Sequence, residues 1–229
     1  MSSNTAESRT VAIEVSPRLG RVSGLLIRPP NATSLYVMAH GAGAGMRHRF
    51  MDAAAEALAA RGVATLRYQF PSMEAGRKRP DPPAVAQQTV RAAMTAAADL
   101  APDLPLFAGG KSFGGRMTSA AAAERPLPGV LGLIFLGFPL HAAGRPSTDR
   151  AAHLERVTVP MLFLQGTRDA LADNELIAAV TNALGARATM HPVDGADHSF
   201  TVRKSSGRSD QDVLAELTEA IKEWVLAVS

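Results

Sequence analysis

The chain contains no cysteine among its 229 residues. Disulfide bonds, thiolate metal sites and a cysteine nucleophile are therefore excluded. Aromatic residues make up only 5% of the sequence, and 24 basic residues are nearly balanced by 21 acidic ones. Because nucleic-acid-binding proteins usually carry a dense basic patch with interleaved aromatic side chains, we expect no nucleic-acid partner.

Long apolar runs are also missing from the sequence. No stretch of about 18 apolar residues occurs, so we expect no membrane partner. Residues 1–9 are polar, unlike a secretory signal, and are expected to be flexible in a protein of the cytoplasm. Hydrophobic residues make up 46% of the sequence and charged residues 20%, as is usual for a folded domain. The length suits one domain over residues 1–229, acting as a monomer or small homo-oligomer.

Apolar, β-branched runs alternate with Ala-rich segments of helical spacing, which indicates an α/β protein. The pattern predicts eight strands, at residues 10–15, 22–27, 35–39, 63–68, 104–108, 130–136, 159–164 and 188–193. It predicts helices at residues 50–61, 84–100, 174–184 and 210–228, and another that opens in residues 109–115 and runs to about 125. The first two strands form a predicted antiparallel hairpin, and the others a mostly parallel sheet with helices on both faces.

One glycine-rich turn carries a candidate nucleophile. Gly110-Lys111-Ser112-Phe113-Gly114 matches G-x-S-x-G, a tight strand-to-helix turn that exposes a strained serine above a sheet. A side chain at Gly110 or Gly114 would collide with the neighbouring strand and helix. The amides that begin the predicted helix favour developing negative charge beside Ser112. The alternative is a glycine-rich turn with a capping serine.

A serine hydroxyl needs a base, and the base needs a group that fixes its tautomer. In a fold with such a turn the acid follows a late strand and the histidine follows the last one. Asp169, after the seventh predicted strand, is the predicted acid, and Asp173 is the alternative. His198, between the last strand and the closing helix, is the predicted base. His40, which ends the third strand, is expected to shape a turn.

Acyl transfer places negative charge on a carbonyl oxygen, which two backbone N–H groups must stabilise. Phe113 is predicted to provide one, and the glycine-rich residues 40–45 the other, with Ala42 as the first choice and Gly43 as the alternative. A nucleotide-binding loop would need an acidic residue and a helix start that do not follow here. Substrate contacts are expected from Gly41, Gly43, Tyr68, Phe70, Phe138 and His141, and pocket walls from residues 71–83 and 141–148.

Four motifs together resemble the α/β-hydrolase superfamily. They are His40-Gly41-Ala42-Gly43, residues 110–115, residues 166–169 and Asp197-His198. The resemblance implies an α/β-hydrolase fold over nearly the whole chain, and the compact form without a large lid looks like the dienelactone-hydrolase-like branch. Within it, residues 74–83, 110–116 and 138–141 look like a family of small hydrolase-like proteins that includes interaction subunits. Dienelactone hydrolases use a cysteine nucleophile, so Ser112 points instead to ester or thioester hydrolysis.

Basic residues recur in the loops that follow predicted strands. They are Arg47, Arg49, Arg77, Lys78, Arg79, Arg145, Arg150, Arg203 and Lys204. Such loops surround the carboxyl edge of a parallel sheet, so their summed field would concentrate an anionic substrate there. The alternative is a solvated surface on which Glu74, Asp81 and Asp149 offset the charge.

The sequence therefore predicts a serine hydrolase that cleaves a small ester or thioester through an acyl-enzyme. No cofactor or metal is expected, because the H-E-x-x-H motif is missing and the histidines are scattered singly. The alternatives are a binding module that keeps the fold without catalysis and a cofactor-free perhydrolase that uses the same residues. A module under no catalytic demand has no physical need for serine, acid and base at these three loop positions.

Overall fold

A computed structural model describes residues 7–77 and 79–229, and it contains one eight-stranded sheet. The strands are β1 (Glu7–Ser16), β2 (Gly20–Arg28), β3 (Ser34–Ala39), β4 (Val63–Tyr68), β5 (Leu106–Lys111), β6 (Val130–Leu136), β7 (Met161–Gly166) and β8 (Ala188–Val193). Their order across the sheet is β1-β2-β4-β3-β5-β6-β7-β8. β2 pairs antiparallel with β1 and β4, and all other neighbours are parallel. The first hairpin and the mostly parallel sheet agree with the sequence prediction, which did not include the pairing of β2 with β4.

Six α-helices and three short 3-10 helices connect the strands in the described residues. The α-helices are α1 (Arg49–Ala59), α2 (Pro71–Glu74), α3 (Pro83–Leu100), α4 (Phe113–Glu124), α5 (Asn174–Leu184) and α6 (Asp210–Val228). The 3-10 helices are Asp149–Arg156, Gly185–Arg187 and Lys204–Ser206. No separate lid is inserted within residues 7–77 or 79–229, which agrees with the expected compact form. None of the helices in these ranges has both the length and the apolar character needed to span a bilayer.

Several predicted boundaries differ from the structure by a few residues, as in β5, which was predicted at residues 104–108 and is found at Leu106–Lys111. β1 begins at Glu7, so residues 7–9 are paired with β2 rather than flexible, while residues 1–6 lie outside the described residues. The predicted loop 71–83 contains the short helix α2, because Pro71 is favourable in a first helical turn. Lys78 of the expected basic rim also lies outside the described residues.

The central strands bury both of their faces. In β3, the side chains of Leu35 and Val37 pack in a core with α3, α4 and α5, whereas Tyr36 and Met38 pack in a second core with α1 and α6. This is the alternation of successive side chains along a strand. Helices cover both faces of the sheet, as predicted, and the carboxyl edge of β3, β5, β6, β7 and β8 carries the connecting loops.

The buried side chain of Arg67 on β4 ties the loop after β3 to the sheet. Its Nη1 donates to the carbonyl oxygen of Met46 (3.0 Å) and forms an ion pair with Asp52 of α1. Because the guanidinium is buried, removal of Asp52 would leave an uncompensated charge in the core. The loop that follows β3 is therefore fixed at its far end, next to the start of α1.

Candidate active site

Ser112 lies in a strained turn between β5 and α4. Its backbone has φ 51° and ψ −114°, a rare conformation for a residue with a side chain. The turn is possible because the backbones approach closely: a Cβ on Gly110 would lie 2.1 Å from the Ala39 oxygen, and a Cβ on Gly114 would lie 2.5 Å from the same atom. The predicted steric reason for these two glycines is confirmed.

The structure brings the three predicted side chains together at the edge of the sheet. Nδ1 of His198 lies 2.7 Å from Oδ2 of Asp169, and Nε2 lies 2.8 Å from Oγ of Ser112. An ionised carboxylate only accepts hydrogen bonds, so Nδ1 carries the proton and Nε2 is free to accept from the serine hydroxyl. The Asp169 side chain is fully buried, whereas that of His198 is 24% exposed. The chain of hydrogen bonds thus runs from the interior to a partly open serine.

Two further groups hold the carboxylate of Asp169. Gln165 donates from Nε2 to Oδ2 (2.6 Å), and the backbone N–H of Leu171 donates to Oδ1 (2.8 Å). Gln165 also accepts from the N–H of Phe138 (2.8 Å), which joins the loop after β6 to the acid. The alternative acid, Asp173, instead caps α5 by accepting from two backbone N–H groups of the helix. Sequence analysis missed Gln165, although a polar residue at the end of an apolar strand was a usable signal.

His198 is held by a tight turn after β8. Asp197 accepts from the N–H groups of Ser199 (2.8 Å) and Thr201 (3.0 Å), while Phe200 has a φ of 62°, unusual for an aromatic residue. Lys111, the residue before the serine, donates from Nζ to the carbonyl oxygen of His198 and lies 5.1 Å from the Phe200 ring centre. Burial lowers the pKa of Lys111 to about 8, against the opposing effect of Asp169. No role for Lys111 was predicted.

The loop after β3 borders the serine. A Cβ on Gly41 would lie 3.8 Å from Cβ of Ser112. His40 is buried; its Nε2 accepts from the N–H of Phe70 (3.2 Å), so Nδ1 donates to the Gly41 oxygen (2.7 Å). Burial also lowers the pKa of His40, which favours this neutral form. His40 therefore shapes the turn, as expected from its position in the sequence.

The backbone N–H groups of Phe113, at the first position of α4, and of Ala42, in the loop after β3, make no hydrogen bond with another described residue. The N–H of Gly43 also has no such partner, so either loop residue remains available as a second donor. Free donors at this place are what a developing oxyanion requires.

Comparison with known proteins identifies the family. Residues 32–226 match the family described as α/β hydrolase domain. The protein belongs to the α/β-hydrolase family. This agrees with the resemblance that the four sequence motifs indicated.

Solved structures similar to this α/β-hydrolase cover nearly its whole length. A dienelactone hydrolase from Anabaena variabilis is 21% identical, with 98% of this chain and 99% of the other covered and a TM-score of 0.76. A serine hydrolase without a lid from Xanthomonas campestris is 22% identical (95% and 95% covered, TM-score 0.72). An esterase domain from Rhodothermus marinus is 19% identical (95% and 97% covered, TM-score 0.72). At these identities the likeness concerns the fold.

Four of the expected substrate contacts need correction. Tyr68, Phe70 and Phe138 are each only 1% exposed and belong to the core beneath the site. Strand alternation turns Tyr68 inward, toward the same core that α4 covers, and the two phenylalanines extend that core. His141 is 5% exposed, and its two ring nitrogens bond to the Ala142 oxygen and the Asp173 N–H. In the α/β-hydrolase these residues support the site, whereas contacts from Gly41 and Gly43 stay predictions.

The remaining histidines have other contacts in this α/β-hydrolase. His48 caps α1 by accepting from the Phe50 N–H, and His191 pairs with Glu216 of α6. Among residues 7–77 and 79–229, no three His, Asp or Glu side chains are grouped as a metal site requires. His198 is therefore the histidine that reaches Ser112.

The 3-10 helix Asp149–Arg156 of this α/β-hydrolase is attached to α4 through His153. Its Nε2 shares a hydrogen bond of 2.7 Å with Oγ of the buried Ser119. Burial lowers the pKa of His153 to about 4, and the positive charges of Arg116 and Arg156 lower it further. The folded protein therefore holds this histidine neutral under conditions in which the unfolded chain protonates it.

Replacement of Gly114 by alanine should destabilise the protein by about 3 kcal/mol or more, because the new methyl group would meet the backbone of Ala39. Urea unfolding measures the effect. Gly207→Ala is the control: it also adds a methyl group, but in open space at a φ of 71°, and should cost about 1 kcal/mol. Equal losses in the two variants would contradict the close approach of the turn to β3.

The stability of the wild type should fall as the pH is lowered from 6.5 towards 4, because the unfolded state then binds a proton that His153 refuses in the folded state. His153→Gln, which keeps a polar group near Ser119, should lose less stability over the same range. We expect a difference of about 1 kcal/mol between pH 7 and pH 5, since partial exposure screens the effect. Urea unfolding of both proteins at the two pH values measures the effect. Equal losses of unfolding free energy between pH 7 and pH 5 in the wild type and in His153→Gln would refute this prediction.

Proposed function

We propose that this α/β-hydrolase cleaves a carboxylic ester or thioester of a small molecule through an acyl-enzyme on Ser112. The observation that carries the proposal is the unbroken line of hydrogen bonds from Asp169 through His198 to Ser112, at 2.7 and 2.8 Å. Nucleophile, base and orienting acid are what acyl transfer by a serine needs. The fold shared with an esterase domain and a lidless serine hydrolase supports the same class of reaction.

In the first half of the reaction, Ser112 is the nucleophile. His198 takes the hydroxyl proton at Nε2 as Oγ forms a bond to the carbonyl carbon, and the carbonyl oxygen gains the negative charge. When the tetrahedral intermediate collapses, the carbon–oxygen or carbon–sulfur bond breaks and His198 returns the proton to the leaving alcohol or thiol. An acyl group then remains on Ser112.

In the second half, water replaces the alcohol. His198 removes a proton from water, the resulting hydroxide attacks the acyl carbon, and the proton passes to Oγ as the acid leaves. Asp169 keeps the Nδ1 proton in place throughout and stabilises the imidazolium, because its buried carboxylate lies 2.7 Å from that nitrogen. No cofactor is required for either half.

The oxyanion is assigned to the N–H of Phe113 and that of Ala42, with Gly43 as the alternative to Ala42. Both first choices have no hydrogen-bond acceptor among the described residues, so neither would have to break a bond to receive the substrate oxygen. Phe113 also begins α4, whose N-terminus carries a partial positive charge. One domain over the whole chain, a monomer or small homo-oligomer, and a cytoplasmic location stay predictions.

A fluorophosphonate probe should label the wild type with one equivalent per chain, and Ser112→Ala should not be labelled. Intact-mass spectrometry measures the added probe without knowledge of the substrate. Ser119→Ala is the matched control: Ser119 also lies 2.7 Å from a histidine nitrogen, but that histidine has no acidic partner among the described residues. Its labelling should equal that of the wild type.

Failure of well-folded wild type to react with the probe would contradict an activated serine. That result would favour the binding-module interpretation, in which the same fold presents a surface to a partner. Labelling that persists in Ser112→Ala would place the nucleophile elsewhere in the chain.

A further inference from the structure

Arg116 lies one helical turn after the candidate nucleophile. Its backbone N–H donates to the backbone carbonyl oxygen of Ser112 (3.1 Å), and its guanidinium lies 6.0 Å from the ring centre of Phe113. The side chain is half-buried, and its Nε is buried without a hydrogen-bond partner among the described residues. A charged donor is thus held next to the site with part of its hydrogen-bonding capacity unused.

Arg150 reaches the same region from the 3-10 helix that packs on α4. Its Nη1 donates to the carbonyl oxygen of His141 (2.9 Å), which fixes the side chain to the loop after β6. That loop begins at Gly137, where a Cβ would lie 3.6 Å from the ring of His198. Arg150 is also half-buried, so both side chains are restricted, one on the helix that begins after Ser112 and the other on the 3-10 helix packed on it.

No carboxylate neutralises either guanidinium. Among the described residues, neither Arg116 nor Arg150 forms an ion pair, and Asp149, the chain neighbour of Arg150, forms none with it. Burial lowers the pKa of Arg116, and the positive charge of Arg150 lowers it further. Because like charges held together raise the free energy, an anion bound between them would be stabilised.

We propose that Arg116 and Arg150 form an anion subsite of the catalytic centre, and that the substrate is an ester or thioester with a carboxylate or phosphate group. The inference rests on the proposed function, which it deepens by naming the substrate class. Guanidinium groups present several donors in a plane and match the oxygens of carboxylates and phosphates. The subsite binds the anionic group while Ser112 attacks the carbonyl carbon of the same molecule.

The subsite shares Arg150 with the basic rim that the sequence indicated, but it adds Arg116 and its two side chains are half-buried. Rim residues such as Arg47, Arg49 and Arg203 are exposed, so their effect would be a diffuse field that salt screens. Arg116 was outside that set because it lies within a helix rather than in a loop. The half-buried pair of Arg116 and Arg150 would contact the anionic group of the substrate directly. Its loss should therefore weaken the binding of that group specifically.

Matched ester pairs test the subsite. For a charge on the acyl side, the mono-para-nitrophenyl ester of adipic acid is compared with its methyl-capped form. For a charge on the alcohol side, para-acetoxybenzoate is compared with its methyl ester. The wild type should prefer the anionic member of one pair, and that pair shows which side of the substrate carries the charge.

Arg116→Met should lower kcat/KM for the preferred anionic ester by about 10- to 100-fold and change that of the capped ester by less than about twofold. Arg150→Met should act in the same direction. Arg203→Met removes one positive charge from the exposed rim. It should leave the ratio of kcat/KM for the anionic ester to that for the capped ester unchanged. Adipate should also slow fluorophosphonate labelling of the wild type more than that of Arg116→Met.

Three results would overturn the subsite while the proposed function stands. The first is that the wild type prefers neither member of either ester pair. The second is a ratio of kcat/KM for the anionic ester to that for the capped ester that is unchanged in Arg116→Met and Arg150→Met, and the third is an equal fall of that ratio in Arg203→Met. If Arg116→Met does not fold, the subsite is tested with Arg116→Lys and Arg150→Met instead, because each of these variants keeps a long side chain. Loss of all ester turnover together with loss of probe labelling in the wild type would instead contradict the proposed function.

Discussion

The candidate active site depends on a close approach of backbones. β5 and the start of α4 lie against the backbones of the neighbouring strands β3 and β6. A Cβ on Gly109 would lie 1.9 Å from the Ile134 oxygen, and one on Gly110 would lie 2.1 Å from the Ala39 oxygen. Only glycine permits this contact. The sharp turn that follows lifts Ser112 above the sheet edge, where the loops after β3, β6, β7 and β8 converge. Histidine, acid and free amides from separate parts of the chain can therefore meet one hydroxyl.

A second constraint is that each buried polar group near this turn has a defined partner. Gln165 links Asp169 to the loop after β6, and Lys111 links the turn of Ser112 to the backbone of His198. Unpaired polar groups in such places would each cost about 1–3 kcal/mol, so these contacts fix the site as well as stabilise it. Arg116 departs from this rule, since its buried Nε has no partner among the described residues, and neither Arg116 nor Arg150 forms an ion pair with any of them. That contrast is the basis for assigning them to an external anion.

Much of this could be predicted from the sequence, because the fold and the three central side chains depend on strong local signals. Strand and helix periodicity predicted all eight strands of a mostly parallel sheet, and chain order indicated Asp169 and His198. Asp173 stayed an alternative acid until the structure placed it as the cap of α5. Side-chain direction was harder to predict. Tyr68 ends its strand near the site, yet the register of β4 turns it into the core. Arg116 lies inside a helix, where the sequence alone does not show which element its side chain faces.

We expect Ser112 to carry the acyl group during turnover. The most direct measurement mixes the enzyme rapidly with a neutral para-nitrophenyl ester, stops the reaction with acid and maps the modified peptide by mass spectrometry. The account predicts one acyl group per chain on the peptide that contains Ser112. Rapid turnover with the acyl group on another residue, or turnover that continues at the wild-type rate in Ser112→Ala, would contradict it.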